Sequence, residues 1–331
     1  GNAGGVVPAG GLFYVHKVNP DLALGFSAGS YLGLGFEFDD DWAGRYHITK
    51  GELVTLAAGP SIGYRLNQQW SIGGSVFALY GELDQRAAIN NSVTDPGTPD
   101  GELRFEQDDW DVGGTLGALY EPTAGTRFGL IARSKTELGL DDAVRVRGLG
   151  TNLGTLLDLT GVLGSQVDMD MTLPRAVTLS GYHELNEKLA LMGNLGWENW
   201  SEFGQVGITL DSTTTRSFEQ DRNFKDTWHV ALGTRYRYRP QWILSAGLAF
   251  DSSPVDDADR TIDLPLDRQI RLGLGAEYLQ RDDFVLGFSY VYLNAGDAEV
   301  DQSGGPLTGD IKGEFDRNAV HFFNVNARWR F

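Results

Sequence analysis

Apolar and polar residues alternate one by one along most of this chain, and the final segment shows the pattern most cleanly. Phe323, Val325, Ala327, Trp329 and Phe331 fall on one parity, and Asn324, Asn326, Arg328 and Arg330 on the other. A period of two predicts strand; an amphipathic helix repeats its apolar positions every three to four residues. The same alternation sets Trp228, Val230, Leu232, Thr234, Tyr236 and Tyr238 against His229, Ala231, Gly233, Arg235, Arg237 and Arg239. It recurs in Ile270–Tyr278 and in Trp110–Tyr120. Aromatics gather at the ends of these runs, where Trp and Tyr suit the boundary between hydrocarbon and headgroups. In segment after segment a greasy face is backed by a wet, basic one, which predicts an all-β, transmembrane antiparallel barrel with lipid outside and a polar lumen.

Short turns punctuate the pattern at Asn19-Pro20-Asp21, Asn67-Gln68-Gln69, Pro122–Gly125, Asn186-Glu187-Lys188, Arg239-Pro240-Gln241 and Arg281-Asp282-Asp283. Long polar loops are expected near 39–50, 85–108, 145–170, 211–224, 252–266 and 297–315. Tight turns on one side and long loops on the other are the asymmetry of an outer-membrane barrel whose loops face outside the cell. The count is about thirteen strands in one domain, residues 1–331. Bacterial single-chain barrels have even strand numbers, so a first strand is expected upstream of Gly1.

Composition narrows the class. The 44 glycines among 331 residues are about twice the usual share, and most lie within the alternating runs, where curved sheets need close contacts and bends. No cysteine is present, which removes disulfides and thiolate metal sites. A net charge of -18 argues against a nucleic-acid partner. The five histidines lack metal-ligand spacing, and neither a P-loop nor a dinucleotide fingerprint occurs. Gly25-Phe26-Ser27-Ala28-Gly29 matches the G-x-S-x-G elbow, but that elbow needs a strand turning into a helix, and this stretch lies within a strand pattern. No cofactor is expected.

Ordered along the whole chain stand Tyr14-Val15-His16-Lys17, Trp42 with Gly44-Arg45-Tyr46, Pro60-Ser61 with Tyr64, and Arg133-Ser134. There follow Leu173-Pro174, Leu179-Ser180-Gly181-Tyr182, Trp200-Ser201 with Phe203, and Phe224-Lys225-Asp226 with Trp228. Densest is Phe250-Asp251-Ser252-Ser253-Pro254-Val255, then Arg260, Pro265 and Asp267-Arg268. In these residues the chain resembles the FadL-type long-chain fatty acid and aromatic-hydrocarbon transporters of bacterial outer membranes. The resemblance implies a fourteen-stranded monomeric barrel, loop capture of a hydrophobic molecule, a lumenal pocket, and sideways exit at a kinked third strand. It also implies an N-terminal hatch with an Asn-Pro-Ala signature, which with the first strand is missing from this sequence.

Candidate site residues follow. With Phe128, Leu130 and Ala132 facing lipid, Arg127, Arg133 and Lys135 turn inward, where a cation attracts a carboxylate headgroup while aromatics hold the tail; the alternative is simple pairing with lumen acids such as Glu137 or Glu277. Arg260 and Arg268, with Phe250 and Pro254, join the lumenal set through the family resemblance. Leu149, Leu153, Leu156, Leu157 and Leu163, beside Val162, approximate helical spacing with an apolar stripe and suit either a capture groove or a self-packed cap on the barrel mouth. Gly29, Ser30, Tyr31 and Gly33 interrupt clean alternation as a bulge does and mark the lateral opening. Expected partners are long-chain fatty acid or another hydrophobic small molecule, together with outer-membrane lipid and lipopolysaccharide. The competing readings are a barrel lipid hydrolase using Ser27 and a general porin for polar solutes.

Overall fold

The computed structural model describes residues 3–143, 145–159, 163, 166–203, 205–211, 216–304 and 308–331. The chain first lays down β1 (Gly11–Lys17), β2 (Leu22–Glu37), β3 (Lys50–Arg65), β4 (Trp70–Ile89), β5 (Gly101–Thr123) and β6 (Thr126–Arg133). It then forms β7 (Thr136–Ala143), β8 (Arg145–Arg147), helix α1 (Thr151–Leu159) and β9 (Gln166–Leu173) before returning in β10 (Ala176–Glu184) and β11 (Leu189–Glu198). A second excursion holds α2 (Trp200–Phe203), β12 (Gln205–Asp211) and β13 (Arg216–Asp221). β14 (Thr227–Arg239), β15 (Trp242–Asp251), β16 (Gln269–Arg281) and β17 (Phe284–Asn294) follow, then β18 (Val300–Gln302), β19 (Ile311–Gly313) and β20 (Ala319–Trp329).

Thirteen of these strands make one antiparallel path, β1-β2-β3-β4-β5-β6-β10-β11-β14-β15-β16-β17-β20, as the alternation predicted. Each wall strand pairs with the next wall strand in the chain, so the wall is an up-and-down meander curled into a barrel. Its two ends approach one another: the rings of Tyr14 on β1 and Phe331 after β20 stack at 6.0 Å. The tight turns reuse one device. Asn19, Asn67 and Asn186 each accept two backbone N–H bonds on their side-chain oxygen, from the residues two and three positions on, the local bonding that suits Asn to turns.

Outward rows carry the lipid-facing residues. On β4 and β5 the aromatic pairs Trp70–Tyr120, at 4.6 Å, and Tyr80–Trp110, at 5.0 Å, bracket Ile72, Val76, Val112 and Leu116. Ten residues separate Trp70 from Tyr80, and at about 3.3 Å per residue along a strand tilted by roughly 40° they span about 25 Å, the height of an outer-membrane apolar band.

The interior above the middle of the barrel is packed with apolar side chains. Leu53, Phe77, Leu79, Leu83 and Phe105 of β3–β5 meet Leu138 and Leu140 of β7, Met171 and Leu173 of β9, Phe203 of α2, and Phe224 and Val255 from the loops. Strand β7 reaches this position because two glycines leave room for it: a Cβ on Gly81 would lie 2.3 Å from Leu138 Cδ1, and one on Gly113 2.8 Å from Thr136 Cγ2. Two inward aspartates of β5 then hold its edge, Asp111 Oδ2 accepting from Glu137 N–H at 2.6 Å and Asp109 Oδ2 from Gly139 N–H at 2.8 Å. Burying Leu138 and Leu140 completely contributes about 1.5–3 kcal/mol each. Beside it β9 and β12 extend a small sheet, β13-β12-β9-β7, so the loop expected at 211–224 contains strand β13.

Candidate ligand pathway

One extra residue in β2 breaks the regularity of the wall. From Ser30, opposite Leu56, to Gly33, opposite Val54, β2 takes three steps while β3 takes two, a β-bulge. The insertion inverts the parity of the strand. Below it Leu24 and Phe26 are exposed on the outer face; above it Leu32 and Leu34 pack into the interior cluster and Phe36 packs near Phe38 at 5.4 Å. Tyr31 and Leu32 therefore both turn inward. Without the bulge, Leu32, Leu34 and Phe36 would face lipid.

Two features leave this stretch weakly tied. The ladder to β1 ends at Gly11 opposite Gly29, and above that point the non-strand segment before β1 bonds β2 through Ser30 N–H to Gly10 O at 2.9 Å and Glu37 N–H to Ala3 O at 3.0 Å. At the bulge the missing ladder bonds are replaced by a side chain: Leu32 N–H donates to Thr55 Oγ1 at 2.7 Å, and Thr55 Oγ1 donates to Leu32 O at 3.0 Å. Of the expected opening residues, Gly29 sits at the end of the β1 ladder, Ser30 and Gly33 flank the bulge, and Tyr31 points into the barrel.

Tyr31 meets two expected partners there. Its ring lies 5.6 Å from that of Phe77 and 5.2 Å from the Arg133 guanidinium carbon. Arg133 is an inward cation of the wall with donors to spare, as Arg222 Nε and Arg260 Nη2 are in the loops. Its Nη2 makes only long approaches, 3.5 Å to Pro174 O and 3.8 Å to Glu198 Oε1, and its buried Nε has no acceptor. Lys135 differs, with Nζ 2.5 Å from Glu137 and 4.0 Å from Glu202. Lower on the wall Arg235 pairs with Glu277 at 2.7 Å. The pairing alternative thus describes Lys135 and Arg235 better than it describes Arg133.

Three other candidates sit elsewhere than expected. Phe250 is 43% exposed on the outward row of β15 with Leu244 and Leu248, so it faces lipid and not the lumen; the alternation of β15 itself carried that signal. Arg260 is 2% exposed and anchors its own loop, donating to Leu266 O at 2.7 Å, Asp257 at 2.8 Å and Glu299 O at 2.8 Å. It is a loop clamp, not an open headgroup receptor. Pro254 is buried and its carbonyl accepts from Lys225 N–H at 2.6 Å. Arg268 is half-exposed at the rim, 3.6 Å from Asp267.

The segment expected to carry an apolar stripe does form a helix, α1. Leu153 is buried, whereas Leu156 is half-exposed and Leu159 is exposed. Leu149 and Leu157 are partly buried, and Leu163 N–H approaches Leu157 O at 3.4 Å; Val162 lies outside the described residues. The helix is held from another loop: Asp95 Oδ1 accepts from Asn152 N–H and Oδ2 from Leu153 N–H, each at 3.0 Å. Asn91, fully buried, accepts from Gly150 N–H at 2.9 Å and donates to Pro99 O and Gly148 O. Sequence reasoning missed this dock, because neither Asn91 nor Asp95 belongs to a local pattern with the helix it caps.

Two quoted motifs are brought together at the mouth. Ser201 Oγ donates to Asp226 Oδ1 at 2.7 Å, Asn199 Nδ2 to the same oxygen at 2.8 Å, and Phe203 stacks on Phe224 at 6.0 Å. Burial pushes the Asp226 carboxyl up, but bonds from Asn199, Ser201 and Trp197 outweigh it and hold the group below its ordinary range. A half-open cavity of about 250 Å³ is lined by His47, Gln85, Phe105, Arg222, Ile262 and Asp263 among others. Arg222 and Asp263 pair across it at 2.8 Å.

Ser27 sits mid-strand, opposite Phe13 on β1 and Gly59 on β3, with no turn into a helix. Among the described residues no cluster of His, Cys, Asp or Glu has the arrangement to hold a metal ion.

Residues 2–331 match the sequence model of a family described as outer membrane protein transport protein (OMPP1/FadL/TodX). A long-chain fatty acid transport protein of Escherichia coli O6:H1 is 27% identical over 347 residues, which cover 97% of this chain and 76% of that protein. Among solved structures, a Pseudomonas aeruginosa FadL homologue superposes with a TM-score of 0.84 at 19% identity, covering 96% of this chain and 77% of its own. The toluene transporter TodX of P. putida gives 0.69 at 16% identity, covering 97% and 82%. At these identities the two structures speak for the fold alone.

Proposed function

Because the chain belongs to the OMPP1/FadL/TodX family of outer-membrane transport proteins, a family of channels for hydrophobic compounds and not of enzymes, we propose that it takes up long-chain fatty acids passively. In this reading a hydrophobic molecule is first held by the exposed side of α1, moves into the apolar interior, presents its carboxylate to Arg133, and leaves sideways beside the β2 bulge. Each step is diffusion between binding sites and needs no cofactor.

The observation that carries the reading is Arg133. A cation with an unpartnered buried Nε, placed against Tyr31, whose ring meets Phe77 in a cluster of Leu and Phe side chains, can take a carboxylate while those side chains take an acyl chain. An uncharged aromatic hydrocarbon would use the same interior but leave Arg133 unengaged. The test is binding of labelled oleate to the full-length protein in detergent, with conductance measured in planar bilayers. Saturable oleate binding with little ion conductance supports the reading; free conductance of small ions without oleate binding makes the protein a general porin and overturns it.

A further inference from the structure

We infer that Thr55 is the positioning residue of the lateral opening, an inference that rests on the bulge of β2 being the exit proposed above. Thr55 is fully buried, and its hydroxyl makes both of its hydrogen bonds to one residue, Leu32, as acceptor from the N–H and as donor to the carbonyl. Leu32 lies inside the bulge, where the β2–β3 register breaks, and on its other side the β1 ladder has ended and the segment before β1 bonds β2 at Ser30 and Glu37. A single side chain thus supplies the ladder bonds that the inserted residue removed. By fixing Leu32 it also fixes the neighbouring Tyr31 inward, against Phe77 and the Arg133 cation.

Valine has nearly the shape of threonine but can neither donate nor accept. Thr55→Val therefore keeps the packing while leaving the Leu32 N–H and C=O without that partner, and such groups, when buried, seek another arrangement. The bulge then loses its held geometry, and with it the placement of β2 beside the segment before β1, where the regular ladder has ended. Ligand affinity depends on the Arg133 charge and on the whole apolar interior, which Thr55 reaches only through Leu32 and Tyr31, so the rate is expected to fall further than the affinity.

The experiment uses full-length protein in cells that depend on it for fatty-acid entry, with labelled oleate as probe. Thr55→Val is expected to slow uptake about tenfold, the loss appropriate to one or two buried backbone hydrogen bonds. Oleate affinity in detergent should change by less than about twofold, and the Leu32 amide should exchange its hydrogen faster. Thr55→Ser, which keeps the hydroxyl, should restore uptake and exchange together. Unchanged Leu32 exchange, or unchanged uptake, in Thr55→Val overturns the inference. Gly33→Trp separates the two failures, because a side chain there enters open space beside the bulge without reaching Thr55. If Gly33→Trp leaves uptake intact, the exit lies elsewhere and the proposed pathway fails with the inference; if it blocks uptake while Thr55→Val does not, only the role of Thr55 falls.

Discussion

The Arg133 guanidinium stands 5.2 Å from the Tyr31 ring, so the inward cation of β6 and the bulge of β2 meet inside the barrel. A carboxylate arriving at Arg133 competes with the ring and with Glu198, which is 3.8 Å away, for the same charge. Arg133→Ala is expected to weaken oleate binding about tenfold, the value of one charge-assisted hydrogen bond. An uncharged alkane of equal length should lose far less. Titration calorimetry or fluorescence displacement with both ligands checks this, and equal losses would remove the headgroup role.

The inner strand β7 depends on absent side chains. Gly81→Leu would drive a branched chain into Leu138, whose Cδ1 lies 2.3 Å from the position of an added Cβ, and β4 cannot yield because both its neighbours are paired to it. Overpacking of this kind costs about 1–3 kcal/mol. The expected result is a lowered denaturation midpoint and faster amide exchange at Glu137 and Gly139, whose N–H groups bond Asp111 and Asp109. Gly63→Ala, where a Cβ meets nothing within 4 Å, serves as the control and should be nearly neutral.

Much of the wall was legible in the sequence because lipid and lumen impose the same two-residue period on every strand. The turns at Asn19, Asn67 and Asn186 were legible for a local reason, one side-chain oxygen closing its own turn. The interior was less legible. That Leu138 and Leu140 fill the barrel follows from a contact with Gly81 more than fifty positions away, and no periodicity encodes it. Resemblance assigned Arg260 and Phe250 to a ligand site, but burial of one and the outward parity of the other decide differently. The bulge was visible as broken alternation between Gly29 and Gly33, yet its partner Thr55 was not, since a threonine in a strand has no distinguishing context.

Above the upper aromatic pair, Asp84 is 6% exposed and draws three cations: Lys50 Nζ at 2.9 Å, Arg86 Nη2 at 2.8 Å and Arg104 Nε at 3.2 Å. Lys50 pairs in register with Arg86, and Arg86 with Arg104, so without Asp84 three like charges stand side by side on adjacent strands. Asp84→Asn keeps the shape and removes the charge. Since the cations are partly exposed, solvent screens part of the loss, and about 1–3 kcal/mol of destabilisation is expected. Arg86→Gln in the Asp84→Asn background should recover some of it, a coupling that a double-mutant cycle in chemical denaturation measures.

Acid should release α1 before it unfolds the wall. The Asp95 carboxylate accepts the N–H groups of Asn152 and Leu153 at the start of the helix, where a negative charge also complements the helix dipole. The Asn152 backbone bond is the largest of the influences on this carboxyl, joined by bonds from Leu153 and Thr94, and together they hold it below the ordinary carboxylate value. A depressed folded value means that the cap is fully in place above the unfolded value, about 3.9, and is lost as the pH falls through the folded one. Asp95→Ala should therefore mimic low pH at neutral pH, with several-fold faster exchange at the Asn152 and Leu153 amides. Asp95→Asn, which retains one accepting oxygen, should fall between. If loop capture by Leu156 and Leu159 depends on a docked helix, Asp95→Ala also slows oleate association while leaving its dissociation from the interior unchanged, and stopped-flow binding resolves the two rates. Identical exchange in wild type and Asp95→Ala across this range would show that the helix is held by Leu153 and Asn91 alone.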